Sequence, residues 1–139
     1  MHSQAVQKCL DAYNKSGNKD PKLALQVTYY LFLLKDYKIC SVILENQLNL
    51  TPKHTGILLN LGVAQARLQK YEAAIKNYQQ VLEAEPENLV ALDGVTSALS
   101  GLERYDEATH FGRRVLELKD QRSKSLKSIS LQIPDSSPH

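Results

Sequence analysis

The chain has 139 residues, a length that predicts one domain able to bury roughly 68% of its unfolded surface. Apolar residues make up 42% and charged residues 23%, with six glycines and five prolines. Leu, Ala, Lys, Gln and Glu are plentiful, so composition leans toward soluble and helical. The net charge of +2 is too small to point to nucleic acid or an acidic membrane surface as partner.

Residues 3–15 open with a helical pattern, in which Val6, Leu10 and Tyr13 recur on one face. No continuous apolar core marks residues 1–20 as a signal peptide. The most apolar stretch, Ala24 to Leu34, is shorter than the ~20 residues a bilayer span needs. A cytoplasmic protein without a membrane span is therefore expected. Cys9 and Cys40 lack CxxC spacing and a histidine at metal-ligand spacing, so free thiols in a reducing compartment are expected. Asn14-Lys15-Ser16 and Asn49-Leu50-Thr51 match the glycosylation acceptor pattern. Without a secretory signal both read as chance matches.

From residue 21 the pattern repeats. Tyr37, Tyr71 and Tyr105 are each 34 residues apart, in the phrases Leu-Lys-Asp-Tyr, Leu-Gln-Lys-Tyr and Leu-Glu-Arg-Tyr. Cys40, Ala74 and Ala108 recur at the same interval, as do Pro52 and Pro86, with Asp120 in the third slot. Units are expected at 21–54, 55–88 and 89–122, each with two helical patterns around a short turn. In the middle unit Leu58, Leu61 and Gln65 share one stripe, and Ala74, Tyr78 and Val81 share the next. The second pattern stops before Pro86, which cannot continue a helix interior. Val6, Leu10 and Tyr13, shifted by 34, fall on Cys40, Leu44 and Gln47. Residues 1–20 therefore read as the second half of an earlier unit, capping the array.

The period, with Leu58, Leu61, Gly62, Tyr71, Ala74, Tyr78, Val81 and Pro86 in the signature slots, resembles the tetratricopeptide repeat (TPR). Gly62 and Ala74 are small where a helix pair would cross. In the outer units Thr28 and Cys40, then Thr96 and Ala108, hold the small slots. Gln47 replaces a small apolar residue, and Gly112 replaces an aromatic whose bulk Phe111 can supply. The resemblance implies an all-α, right-handed superhelical solenoid of antiparallel helix pairs, with three units and capping helices.

Beyond the third unit, Leu126, Ile129 and Ile133 fall on first-helix slots of a fourth. Residues 123–139 are expected to be a short helix or a flexible tail: a frayed helix over 121–131 ended by Pro134, with disorder as the alternative because Ser123, Ser125, Ser128 and Ser130 interrupt the pattern. Lys119, Arg122, Lys124 and Lys127 read as a solvated basic stretch. Ser137-Pro138 is a minimal phosphorylation match.

No constellation for chemistry is found, so no enzyme, cofactor or metal is expected. Gly94 and Gly101 lack the following Lys-Ser or Lys-Thr of a phosphate loop. His2, His54, His110 and His139 are scattered and form no metal pattern. Glu83, Glu85 and Glu87 around Pro86 read as a solvated helix end.

The resemblance implies instead that first helices line a concave groove. Carried over, the groove positions are Lys22, Leu25, Tyr29, Phe32 and Leu33; Gly56, Leu59, Val63, Ala66 and Arg67; and Val90, Asp93, Ser97, Ser100 and Gly101. Co-chaperone members clamp a C-terminal carboxylate from positions that are here Leu25, Tyr29, Asn60, Val90 and Gly94. Only Asn60 matches, and a carboxylate needs cationic donors there, so that activity is not expected. The candidate partner site is Leu25, Tyr29, Phe32, Leu59, Asn60, Val63, Arg67, Asp93 and Ser97. Its N-terminal end is expected to be apolar and to become polar toward the third unit; residues Leu23 to Leu34 are apolar nearly all round, which fits either a buried central helix partly covered by the capping helix or a seat for a partner helix or peptide. A small adaptor or chaperone-like protein fits this reading. The alternatives are a self-assembling homo-oligomer scaffold and a module of a larger enzyme or scaffold.

Overall fold

The structure is a computed structural model that describes residues 4–132, with side chains through Ile129. The expectations for His2, Ile133, Pro134, Ser137-Pro138 and His139 lie outside the described residues. Among the described residues seven helices follow one another: α1 (Gln4–Lys15), α2 (Pro21–Leu33), α3 (Tyr37–Leu50), α4 (Thr55–Arg67), α5 (Tyr71–Ala84), α6 (Leu89–Gly101) and α7 (Tyr105–Gln132). The starts of α2, α4 and α6 are 34 residues apart, and those of α3, α5 and α7 begin at the three recurring tyrosines.

The turn inside each pair is built the same way three times. Lys35, Gln69 and Glu103 hold φ of 59°, 63° and 60°, the left-handed region that closes many helices. The next amide reaches back five residues in each case. Asp36 N donates to Leu31 O (2.9 Å), Lys70 N to Gln65 O (2.8 Å) and Arg104 N to Leu99 O (2.9 Å). Orphan carbonyls at the helix end are thereby satisfied. The turns between pairs also match. Thr51 N donates to Gln47 O and Glu85 N to Val81 O, at 2.9 and 2.8 Å. Pro52 and Pro86 follow, and then a side-chain cap. His54 Nδ1 accepts from Ile57 N and Asn88 Oδ1 from Ala91 N, at 3.3 and 3.0 Å. Asp20 caps α2 from Lys22 N at 2.9 Å, with Pro21 opening the helix.

Packing follows from the columns. Cys40, Ala74 and Ala108 are all buried, as are Leu31, Leu61, Val95 and their neighbours between helices. Burial pushes the Cys40 thiol up to about 12. The Asp36 carboxylate adds to the shift, and a backbone hydrogen bond opposes it. Phe111 packs against the core formed by α5 and α6, while Gly112 has only ordinary contact with Thr96. Consecutive helices touch, and α2 touches α4, and α4 touches α6. Among the described residues α3, α5 and α7 make no such close backbone approach to one another, so they splay and the array curves with α2, α4 and α6 inside.

Helix α1 packs on α2 and buries Val6 and Tyr13. Tyr13 Oη donates to Gln47 Oε1 at 2.8 Å in a buried contact. Gln47 Nε2 in turn donates to Lys19 O at 3.2 Å. The polar Gln47 in an apolar slot is thus paired across two helices, as a buried amide must be. Gln65 and Asn77 form a comparable buried bond of 2.7 Å between α4 and α5.

The C-terminal expectation of a separate short helix is not met. α7 runs unbroken for 28 residues through 122. Pro52 and Pro86 stop their helices by removing an N–H, but Asp120 in that slot keeps its N–H and terminates nothing.

Candidate protein-binding cleft

The inner helices position the expected site residues, and the structure divides them. Val63 and Arg67 on α4 face Asp93 and Ser97 on α6 across one cleft of about 490 Å³. Its remaining walls are Ala66, Tyr71, Tyr78, Val90, Gly94 and Ala98. Leu25 and Tyr29 belong elsewhere. With Cys9, Lys22, Gln26 and Tyr30 they line a smaller cleft of about 320 Å³ between α1 and α2. Phe32 turns to the Tyr37 ring, 5.8 Å between centroids, and packs on the first core. Leu59 is half-buried against the second core, and Asn60 is half-buried on α4. The nine positions are thus divided between the α4–α6 cleft, the α1–α2 cleft and the helix cores.

The α4–α6 cleft has a rigid floor. Tyr78 is 2% exposed and its ring lies between two glycines. A Cβ on Gly62 would come within 2.7 Å of the ring, and one on Gly94 within 2.5 Å. Real Cβ atoms do not approach that closely, so the ring can lie flat between α4 and α6 only because both positions lack a side chain. Tyr71 sits over Gly101 in the same way, at 2.5 Å. Sequence reasoning assigned both tyrosines to packing and missed that they wall the cleft. The available signal was the glycines themselves. Glycine inside a helix costs about 1 kcal/mol against alanine, so each asks for a packing reason.

Charge is arranged across this floor. Burial pushes the Tyr78 phenol up to about 12, with the Arg67 positive charge pulling the other way. The hydroxyl stays protonated at neutral pH as a hydrogen-bond donor. Arg67 and Asp93 are exposed on opposite walls. Among the described residues neither forms an ion pair. A cation, an anion, a hydroxyl from Ser97 and an apolar floor together suit a peptide, which offers carbonyls, amides and side chains at once. No group of three His, Cys, Asp or Glu among the described residues is placed to hold a metal. No helix among them is long and apolar enough to cross a membrane.

Comparison with known proteins agrees with this architecture. Residues 57–88 match the family model described as tetratricopeptide repeat. Tetratricopeptide repeat protein 21A of Mus musculus is 29% identical over 92 residues, which is 66% of this chain and 7% of that protein. The fold is similar to solved structures of MamA. One, from Desulfovibrio magneticus RS-1, has a TM-score of 0.75 at 20% identity, covering 81% of this chain and 63% of that one. Another, titled as the MamA protein, has a TM-score of 0.74 at 15% identity, with 86% and 64% covered. Residues 57–88 are thus similar to a tetratricopeptide repeat, and the same helix pair recurs on either side of them in an all-α helical-repeat fold.

Proposed function

We propose that the chain is a non-catalytic protein-interaction module, with units 21–54, 55–88 and 89–122, that holds a partner peptide in the α4–α6 cleft. The observation that carries this is the pairing of unbridged Arg67 and Asp93 across a preformed floor of Tyr78, Ala98 and Gly94. A rigid floor reduces the ordering cost of binding. Opposed charges fix the direction in which a peptide lies. Leu59, Asn60 and the α1–α2 cleft with Leu25 and Tyr29 extend the surface toward the N-terminal end, where an apolar segment of the partner would rest. The free thiols of Cys9 and Cys40 suit a cytoplasmic adaptor or small chaperone.

The test is selection of peptides from a random phage library on the whole protein, followed by calorimetric titration. Selected peptides are expected to lose about tenfold in affinity with Arg67→Glu or Asp93→Lys, the effect of a polar contact worth about 1.4 kcal/mol. Peptides bound equally well by both variants and the parent would contradict the assignment.

A further inference from the structure

Tyr78 carries a polar atom that the fold itself does not use. The residue is 2% exposed, and its ring is fixed between Gly62 and Gly94. Burying a hydroxyl without a partner is costly. Among the described residues Tyr78 Oη forms no hydrogen bond, and no side-chain oxygen sealed from solvent is left unpaired among them. The oxygen therefore opens onto the α4–α6 cleft that Tyr78 lines. A phenylalanine would fill the same space between the glycines, so packing alone does not ask for the hydroxyl.

The surroundings say what that hydroxyl meets. The positive charge of Arg67 acts on the phenol, so a guanidinium and an O–H donate into one region of the cleft. Among the described residues Arg67 forms neither an ion pair nor a hydrogen bond. A charged and a neutral donor side by side select an ionised acceptor over a neutral carbonyl, because hydrogen bonds to ionised groups are roughly twice as strong. Asp93 on the facing wall limits how much negative charge can enter. It disfavours a dianionic phosphate and leaves room for a single carboxylate. Depth decides how that carboxylate arrives. Tyr78 is the buried floor, whereas Arg67 and Asp93 stand exposed on the walls. A backbone lying across the walls can drop a side chain to the floor, while a terminal carboxylate, fixed to the main chain, stays at the level of the rim.

Resting on the reading that a partner peptide lies in this cleft, we infer that the peptide is recognised through an internal Asp or Glu side chain, whose carboxylate accepts from both Tyr78 Oη and Arg67. Tyr78 then determines specificity as well as holding α4 and α6 apart.

Peptides selected from a random phage library on the whole protein, titrated calorimetrically against the parent and Tyr78→Phe, test this. The selected sequences are expected to share one acidic position. Replacing that acid by its amide, or Tyr78 by Phe, should each weaken binding about tenfold to hundredfold, the range of a hydrogen bond to a charged group. Together the two changes should cost at least about threefold less than the product of the single effects, because they remove one shared contact. The unfolding midpoint of Tyr78→Phe should match the parent's, since the hydroxyl has no partner in the chain. Amidating the peptide C-terminus should leave affinity unchanged, and phosphoserine in place of the acid should bind no tighter. Peptides that shift Val63, Asp93 and Ser97 in a ¹H–¹⁵N spectrum yet share no acid, or that bind Tyr78→Phe as tightly as the parent, would overturn this inference and leave the cleft assignment standing. Independent effects of the two changes, a loss on amidating the C-terminus, or tighter binding of phosphoserine would overturn it as well. Peptides that leave those three residues unmoved would overturn both readings.

Discussion

Gly94→Ala is the sharpest probe of how the cleft is built. The new Cβ would stand 2.5 Å from Tyr78 Cζ, with two further ring atoms at 2.7 and 2.8 Å. A flexible side chain at the surface would swing aside. Tyr78 is buried, and the glycine at 62 holds its ring from the other side, where a Cβ would lie at 2.7 Å. Overpacking of this kind costs about 1–3 kcal/mol. Alanine in place of glycine in a helix returns about 1 kcal/mol. The net expectation is destabilisation of about 0–2 kcal/mol in the parent. In a Tyr78→Leu background the clash is gone and only the propensity gain remains. There Gly94→Ala should stabilise by up to about 1 kcal/mol, giving a coupling of about 1–3 kcal/mol between the two positions. Urea unfolding of the parent, two single variants and the double variant, followed by circular dichroism, measures it. Equal effects of Gly94→Ala in both backgrounds would refute the claim that the glycine exists to admit the ring.

Gly112→Ala is the matched control. Its Cβ would meet nothing closer than Thr96 Cγ2 at 3.6 Å, so a gain of about 0.5–1 kcal/mol in urea unfolding is expected from helix propensity alone. Gln69→Gly should also stabilise, by about 0.5–1 kcal/mol, because Gln69 holds φ 63° where glycine has no steric penalty; thermal unfolding reads this out. Tyr13→Phe should cost about 1–3 kcal/mol in urea unfolding by leaving Gln47 Oε1 buried without its donor. At high pH the sign follows from two raised acids. Cys40 and Tyr78 ionise in the unfolded chain near 9 and 10 but only near about 12 when folded. Their contribution is full below pH 9 and is lost as pH rises toward 12. Cys40→Ala should remove the earlier part of that loss in a pH series of unfolding midpoints.

Much of this fold is legible from spacing. The tyrosine columns mark the first residues of α3, α5 and α7 because the tight turn before each is the same structure three times. Cys40, Ala74 and Ala108 mark a buried, crowded level for the same reason. What spacing did not reveal is decided by side-chain direction and by single atoms. Gln47 looks misplaced in its column until Tyr13, in the same slot one unit earlier, is seen to donate to it. His54 reads as an isolated histidine, yet its Nδ1 caps α4. The length of α7 turns on one N–H, present in Asp120 and absent from Pro52 and Pro86. Of the proposed site, spacing alone brought only part together. Val63, Arg67, Asp93 and Ser97 do meet in one cleft. Leu25 and Tyr29 occupy the corresponding slots of α2 but line the space beneath α1 instead. A column cannot tell which neighbour covers it. Tyr78 was hidden because a tyrosine in a repeat slot is adequately explained by packing, and only the glycines at 62 and 94, out of column with each other, hint at a shared ring.

The most direct test of the account is a ¹H–¹⁵N chemical-shift map of the whole chain titrated with a peptide selected on it. The expected result is that the largest shifts fall on Val63, Arg67, Asp93, Gly94 and Ser97, with saturation at one peptide per chain. Shifts concentrated on the outer helices α3 and α5, with those five residues unmoved, would contradict it.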